Sequence, residues 1–345
     1  MAFISSCHQD KTDYSKKAVT KTIIGTEMIV KNLDGYGIVG SYGDYLFLKE
    51  NRDTSRLVVY QIEGDSLKYH KGLIDKGRGP REFYYVEYSW FGDTLYVSNS
   101  DPTGIKAIYG IPLDDMSKIE DRNRWSEYPI PGNDIMTGMS FAKYGEGRFV
   151  IAGGESETKQ VFSMVDYNKK EVVPLKFWPA DSTKGPLYSK QMVYMQSKLC
   201  SSGRQILYSN LYARYMFIAT IRGDEFVETA KIYSHLPQYE VKPDGNIRYT
   251  EDGEDGILIY ATQDYIFAQV GRTVSEVRES DTYKGYPRSY IDELEVYDWK
   301  GRFIDNYQTD RPFYSFAVSA DNHHLYTLSM DLVSKELIVM RYDLF

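Results

Sequence analysis

The sequence predicts an all-β chain folded as a six-bladed β-propeller of four-stranded antiparallel blades, closed by an N-terminal strand. Three observations predict it. Beyond the first 19 residues the chain consists of short alternating or apolar runs bounded by Gly, Asp, Asn and Pro, each of about 4–8 residues, the length of a strand. Helical periodicity is nearly absent. A turn followed by an apolar strand recurs six times, at intervals of about fifty to sixty residues, the period of a radial array.

The clearest copies are Gly43-Asp44-Tyr45-Leu46-Phe47-Leu48, Gly92-Asp93-Thr94-Leu95-Tyr96-Val97 and Gly147-Arg148-Phe149-Val150-Ile151. Weaker ones are Gly203 to Tyr208, Gln263 to Ala268 and Asn322 to Thr327. With Leu46, Leu95, Phe149, Ile206, Ile266 and Leu325 taken as equivalent, the spacings are 49, 54, 57, 60 and 59 residues. Each copy leads into a second apolar run, such as Arg56 to Tyr60, Ile105 to Tyr109, Tyr215 to Ala219 or Leu337 to Asp343. Most then reach a more polar run, such as Ser66 to Tyr69, Glu171 to Leu175 or Arg302 to Tyr307. Inner strands apolar on both faces and a half-solvated outer strand are the order of a four-stranded blade.

The last repeat ends at Arg341-Tyr342-Asp343-Leu344-Phe345, without room for an outer strand. At the other end, Thr20 to Val30 has no blade of its own. Pairing it into the last blade would close the ring and remove an open sheet edge. Residues 20–345 are therefore expected to form a single propeller domain, with 1–19 as a tail. A pair of β-sandwiches is the structural alternative, but it does not account for six copies.

Length and composition agree with this reading. At 345 residues, with 42% apolar residues, 15% aromatics and 32 Tyr, the chain can build a large core and many half-buried pleated surfaces. The net charge of −8, with Lys and Arg scattered, argues against nucleic acid, which needs a concentrated positive patch. No apolar stretch approaches the about 18 residues of a membrane-spanning helix. A monomer is expected.

There are two cysteines, so a disulfide framework is excluded. Cys200 follows an alternating segment and reads as an ordinary strand residue. Cys7 closes Ile4-Ser5-Ser6-Cys7, which resembles the lipobox of bacterial lipoproteins, where small residues precede a cysteine that is lipidated and becomes the new N-terminus. The polar His8 to Lys17 would then be a flexible tether. The sequence departs from the lipoprotein pattern in carrying only six residues before Cys7, shorter than the charged and apolar regions of an export signal. A start codon placed too far downstream would explain the difference. The expectation is a lipid-anchored protein of the bacterial cell envelope, in the periplasm or at the outer membrane, touching the membrane only through its lipid.

The stretch Ile74 to Ser100 joins one repeat to the next. Its Lys76-Gly77-Arg78-Gly79-Pro80-Arg81-Glu82-Phe83 segment is similar to the G-x-G-P-x-E-F turn of six-bladed β-propeller lipoproteins common in Bacteroidetes, which look like relatives of NHL and TolB-type propellers. The resemblance covers about residues 20–345, but only this motif is sharp. It implies a six-bladed fold and an envelope location, and little about activity. Read from the residues, Gly77 and Gly79 permit positive φ, Pro80 fixes its own, Glu82 caps backbone donors and Phe83 plugs between blades. The functional alternative is that Lys76, Arg78 and Arg81 face the channel mouth and bind a carboxylate or sulfate.

Long connections on a rigid scaffold are where binding sits. Trp178 to Tyr194, Leu236 to Gly256 and Val274 to Arg288 exceed what a blade needs. The acidic run Glu251-Asp252-Gly253-Glu254-Asp255-Gly256 could offer oxygens to Ca²⁺, although it lacks the alternating spacing of a calcium loop and reads better as a solvated turn. His8, His70, His235, His323 and His324 show no ligand spacing, so no metal site is assigned. Neither a G-x-S-x-G elbow nor a phosphate loop occurs, and no catalytic residue is assigned. Trp90, Trp125, Trp178 and Trp299 suit either sugar stacking or blade packing. The reading favoured is a non-enzymatic envelope module that binds a protein, peptide or glycan through its channel face or long loops. The alternative is a propeller enzyme of lactonase, hydrolase or lyase type with a channel metal. Converging carboxylates or histidines would favour the enzyme, and a channel of Tyr, Ser and Lys would favour the binding module.

Overall fold

The computed structural model describes residues 20–31, 33, 35–50, 55–77, 82–101, 104–131, 140–154, 159–250, 256–272, 283–287 and 289–345. Two short strands, β1 (Lys21–Ile23) and β2 (Thr26–Val30), precede an antiparallel meander of β3 (Gly35–Tyr42), β4 (Tyr45–Glu50), β5 (Ser55–Glu63) and β6 (Ser66–Lys76). The two-residue β7 (Glu82–Phe83) turns back parallel to the end of β6. The next four strands, β8 (Tyr88–Phe91), β9 (Thr94–Asp101), β10 (Gly104–Pro112) and β11 (Ser126–Pro129), form a separate antiparallel sheet. A third sheet is made of β12 (Ser140–Lys143), β13 (Arg148–Ala152), β14 (Phe162–Asp166) and β15 (Glu171–Leu175). After the helix α1 (Leu187–Met195) comes a fourth, of β16 (Ser197–Ser201), β17 (Ile206–Asn210), β18 (Tyr215–Arg222) and β19 (Glu225–Ser234). A hairpin of β20 (Tyr239–Val241) and β21 (Ile247–Tyr249) stands alone.

The remaining strands are β22 (Ile257–Ala261), β23 (Tyr265–Val270), β24 (Ile291–Asp298), β25 (Phe303–Val318), β26 (His324–Met330) and β27 (Leu337–Asp343). The 16-residue β25 ends one four-stranded run, β22-β23-β24-β25, and begins another, β25-β26-β27-β2. Residues 303–308 pair with β24 and residues 315–318 with β26. Pro312, which has no N–H to give a ladder, lies between these two stretches.

The N-terminal strand sits where its lack of a partner in the sequence predicts. Thr26, Glu27 and Met28 pair antiparallel with Arg341, Met340 and Val339 of β27. The structure adds two pairings that were not expected. Ile29 and Val30 run parallel to Ser66 and Leu67 of β6, which links the last run to the first meander. β1 lies parallel to β25, with Lys21 opposite Tyr307.

Leu46, Leu95, Phe149, Ile206, Ile266 and Leu325 all fall on the second strand of a four-stranded run, and all six are 0% exposed. The fourth strands β6, β11, β15 and β19 are largely exposed or half-buried, with few buried positions and none in β11, as their polar sequences demand. Among the described residues the buried apolar side chains form six clusters. Each lies between sheets or runs that follow one another in the chain, except one in which Ala317, Tyr326 and Leu328 of the last run meet Ile38, Leu46 and Val58 of the first meander.

Two of the three long connections contain secondary structure among the described residues. Trp178 to Tyr194 includes most of α1, which has no apolar stripe for a periodicity argument to find. Its buried face includes Ser189 and Gln191, held by hydrogen bonds from distant parts of the chain: Ser189 Oγ donates to Gly245 O (2.9 Å) and Gln191 Nε2 to Gln160 O (2.6 Å). Leu236 to Gly256 contains the β20-β21 hairpin, and Tyr239 donates from its hydroxyl to Asp181, tying the two connections together. Most of Val274 to Arg288 and the acidic run from Glu251 to Asp255 lie outside the described residues.

Candidate functional site

A pocket of about 530 Å³ is lined by Tyr212, Leu258, Gln269, Arg272, Ser289 and Tyr314, among others. It forms because the turn after β17, the start of β22, the end of β23 and the start of the second half of β25 arrive at one place. Gly256 allows this approach: a Cβ there would lie 2.0 Å from the carbonyl oxygen of Leu211. The Asn210 side chain accepts from the Tyr212 N–H (2.9 Å) and donates to Val193 O (3.0 Å), which fixes the turn that presents Tyr212. Tyr212 stacks on Tyr249 with ring centroids 4.3 Å apart and planes 9° apart. Tyr314 packs on Tyr290 at 4.8 Å. Burial raises the phenol pKa of Tyr249 and Tyr314, and with Tyr286 beside it pushes Tyr290 up to about 12, so these groups stay neutral hydrogen-bonding phenols.

The polar side of the pocket is built on a buried acid. Asp292, 2% exposed, accepts from Arg272 Nη2 (3.3 Å), from the Tyr283 hydroxyl and from Gln308 Nε2 (3.1 Å). Arg272 also pairs with Glu293 at 3.0 Å, and its guanidinium lies 5.0 Å from the Tyr283 ring centroid. Two carboxylates therefore neutralise the Arg272 charge, so this pocket is not built for an anion. Among the described residues the buried Arg272 Nε has no hydrogen-bond partner. At the floor, Gln269 Nε2 is committed to Phe313 O (2.5 Å) and Ile291 O (3.3 Å). Aromatic faces beside a few neutral or neutralised polar groups suit a ligand that is itself flat and polar.

A second polar set lies where the first strands of the sheets approach one another. Lys198 of β16 reaches to Tyr88 of β8 and donates from Nζ to its carbonyl at 3.1 Å. Cys200, Tyr260 and Ser41 come from β16, β22 and β3. A cavity of about 150 Å³ at the ends of these strands is lined by residues including Ser41, Trp90, Ser201, Tyr260 and Val318. Cys200 is a free thiol whose pKa burial pushes up to about 11, as befits the ordinary strand residue expected at that position.

Of the residues singled out in the sequence, Lys76 ends β6 with an exposed side chain, while Arg78 and Arg81 lie outside the described residues, as does Cys7. The described part of the motif is packed, but Gly77 does not take the positive φ expected of it, and its lack of a side chain serves a close approach instead. Phe83, 1% exposed, sits in the cluster between the first two sheets, 5.3 Å from the Tyr109 ring. Glu82 folds against Gly77, where a Cβ would lie 1.8 Å from its Oε2. The tryptophans take part in packing: the indoles of Trp90, Trp125 and Trp299 donate to Val39, Ile119 and Thr262 carbonyls at 2.8–3.1 Å, and Trp178 packs against the cluster between the third and fourth sheets, while Trp90 and Trp299 also line cavities. Among the described residues no three His, Cys, Asp or Glu side chains come close enough to share a metal ion. Neither Tyr212, Gln269, Arg272 nor Lys198 was picked out from the sequence, since each stands in a strand or turn that resembles many others. No protein-family model matches this chain, and no curated protein matches it either.

Proposed function

We propose that this chain is a closed six-bladed β-propeller that acts as a non-enzymatic binding module for a peptide, protein or glycan. Closure is supported by the order in which the first strands touch. Trp90 Nε1 donates to Val39 O between β8 and β3, Leu199 N to Ser140 Oγ (2.7 Å) between β16 and β12, and Ile38 N to Ser315 Oγ (2.8 Å) between β3 and β25. β8 meets β12, β16 meets β22 and β22 meets β25. The six runs then account for the chain from Thr20 to its end, and a closed ring leaves no long edge for another chain to extend.

The observation that carries the binding reading is the 530 Å³ pocket walled by Tyr212, Tyr314 and the neutralised Arg272. Rings that stack on a flat ligand and a guanidinium N–H with no partner among the described residues are recognition chemistry. Where the first strands meet, the polar residues are mostly Lys, Tyr, Ser and Cys, with the single carboxylate of Glu87 beside them, a lining that favours the binding reading over converging carboxylates. As part of the same proposal, and on the sequence alone, the chain is a monomer held at the bacterial envelope by a lipid on Cys7, like the Bacteroidetes propeller lipoproteins it resembles.

Glycan and peptide arrays probed with the purified protein test the binding reading. The expected result is retention on a defined subset, lost in Tyr314→Ala and in Ser289→Trp, which would fill the pocket. No retention on either array, or retention unchanged in both variants, would overturn it. Globomycin-sensitive processing at Cys7 of the natural gene product tests the anchor, and an unmodified cytosolic protein would refute it.

A further inference from the structure

The Tyr88 peptide stands between two lysines. Lys198 Nζ bonds its carbonyl at 3.1 Å, and Lys49 Nζ lies 5.0 Å from its ring centroid. Glu87, next in the chain, faces Lys49 at 3.8 Å, long for an ion pair. An ammonium carries three N–H donors. Among the described residues Lys198 commits one, to Tyr88 O, and no carboxylate lies within 4.0 Å of it. Burial and the Lys49 charge both push the Lys198 amine pKa down, while Cys200 and Glu87 pull it up. Lys198 is half-buried, and Lys49 and Glu87 side chains are 28% and 32% exposed, so the cluster is partly shielded yet reachable.

The account of charge is two cations and one anion. We propose that this cluster is a binding site for one carboxylate group, which would take up the spare donors of Lys198 and draw Lys49 away from its long contact with Glu87. A monoanion brings the set to neutrality, whereas a phosphate dianion would leave a net negative charge in a shielded place, where an unbalanced charge is costly. The inference is independent of the pocket at Arg272, which has a different lining and its charge already neutralised. The carboxylate could belong to a small organic acid or to the C-terminus of a peptide, and the two sources share this chemistry.

Isothermal titration at pH 7 with propionate, with tetra-alanine as the free acid and with tetra-alanine amide distinguishes them. The expected result is that propionate or the free-acid peptide binds, that the amide binds at least tenfold more weakly than the free acid, and that Lys198→Met and Lys49→Met each weaken binding at least tenfold. Binding of propionate alone would identify a small-acid site, and binding of the free-acid peptide far above propionate a chain terminus; both support the assignment. Lys68→Met, at an exposed lysine paired with Glu63 at 3.4 Å, should bind as the wild type does. If Lys198→Met fails to fold, as its circular dichroism would reveal, Lys49→Met and the acid-to-amide comparison decide. Failure of the folded wild type to bind either acid, or equal binding of acid and amide, would overturn the proposal.

Discussion

Lys143 offers the most informative perturbation of stability. It is 6% exposed, at the end of β12, and its Nζ lies 4.6 Å from the Phe149 ring centroid, 5.6 Å from that of Tyr128 and 5.9 Å from that of Tyr96. No carboxylate of the described residues pairs with it. Burial, against the pull of Glu146 and with the push of Arg148, lowers its pKa from 10.5 to about 8. At about 1.4 kcal/mol for each tenfold change in proton affinity, the charged form costs the fold about 3 kcal/mol. The ring faces return about 0.5–2 kcal/mol of that. Lys143→Met keeps the length and removes the charge, so it should stabilise the protein by about 1–3 kcal/mol at pH 7.

The pH dependence has a definite sign. Above pH 10.5 the amine is neutral in both folded and unfolded chains, and its cost vanishes. Between 10.5 and about 8 the unfolded chain binds a proton that the folded one does not, so stability falls as pH falls. Below about 8 the cost is complete and constant. Urea denaturation of wild type and Lys143→Met, at intervals from pH 6 to 10.5, isolates this residue, because other titrating groups cancel in the difference. The gap should be flat below pH 8 and shrink towards pH 10.5. A variant less stable than wild type at pH 7, or a gap that does not change with pH, would refute the reasoning.

Other positions test the packing. Phe83→Ala should cost about 3–5 kcal/mol in urea denaturation, since the ring fills the space between two sheets, and a cost under 1 kcal/mol would mean it is not the plug described. In Gly40→Ala the new methyl carbon would lie 2.2 Å from the Trp90 ring, whose indole is held on Val39, so a loss of about 1–3 kcal/mol is expected, with a change in tryptophan fluorescence. Asp292→Asn removes the acid shared by Arg272, Tyr283 and Gln308 and should cost about 2–4 kcal/mol in the same assay, moderated because Arg272 keeps Glu293. Deleting residues 1–30 takes away the partner of β27 and exposes Met28's place in the core; light scattering should show association through the freed edge, and a monomer as stable as wild type would contradict the pairing.

Much of the architecture was legible in the chain because strand signals are local. A run such as Tyr45-Leu46-Phe47-Leu48 after Gly43-Asp44 specifies a turn and a buried strand without reference to anything distant, and Gly43 and Gly92 do adopt positive φ, +50° and +56°. The spare N-terminal strand was legible by counting, since the last repeat lacks one. The α1 helix was not, because Ser189 and Gln191 are buried by hydrogen bonds to residues 56 and 31 positions away, a kind of burial that leaves no apolar stripe.

The sequence by itself determined that this is an all-β chain of repeated four-stranded units, because period-two alternation and Gly-Asp turns act over a few residues. It also marked Phe83 and Glu82 as structural, since a Gly/Pro-rich turn needs its neighbours to hold it. Only the tertiary structure brought Lys49, Glu87 and Lys198 to one place, and Tyr212, Arg272 and Tyr314 to another. Successive members are separated by 38 and 111 positions in the first set and by 60 and 42 in the second. Their meeting depends on how whole sheets pack, and no local pattern records that.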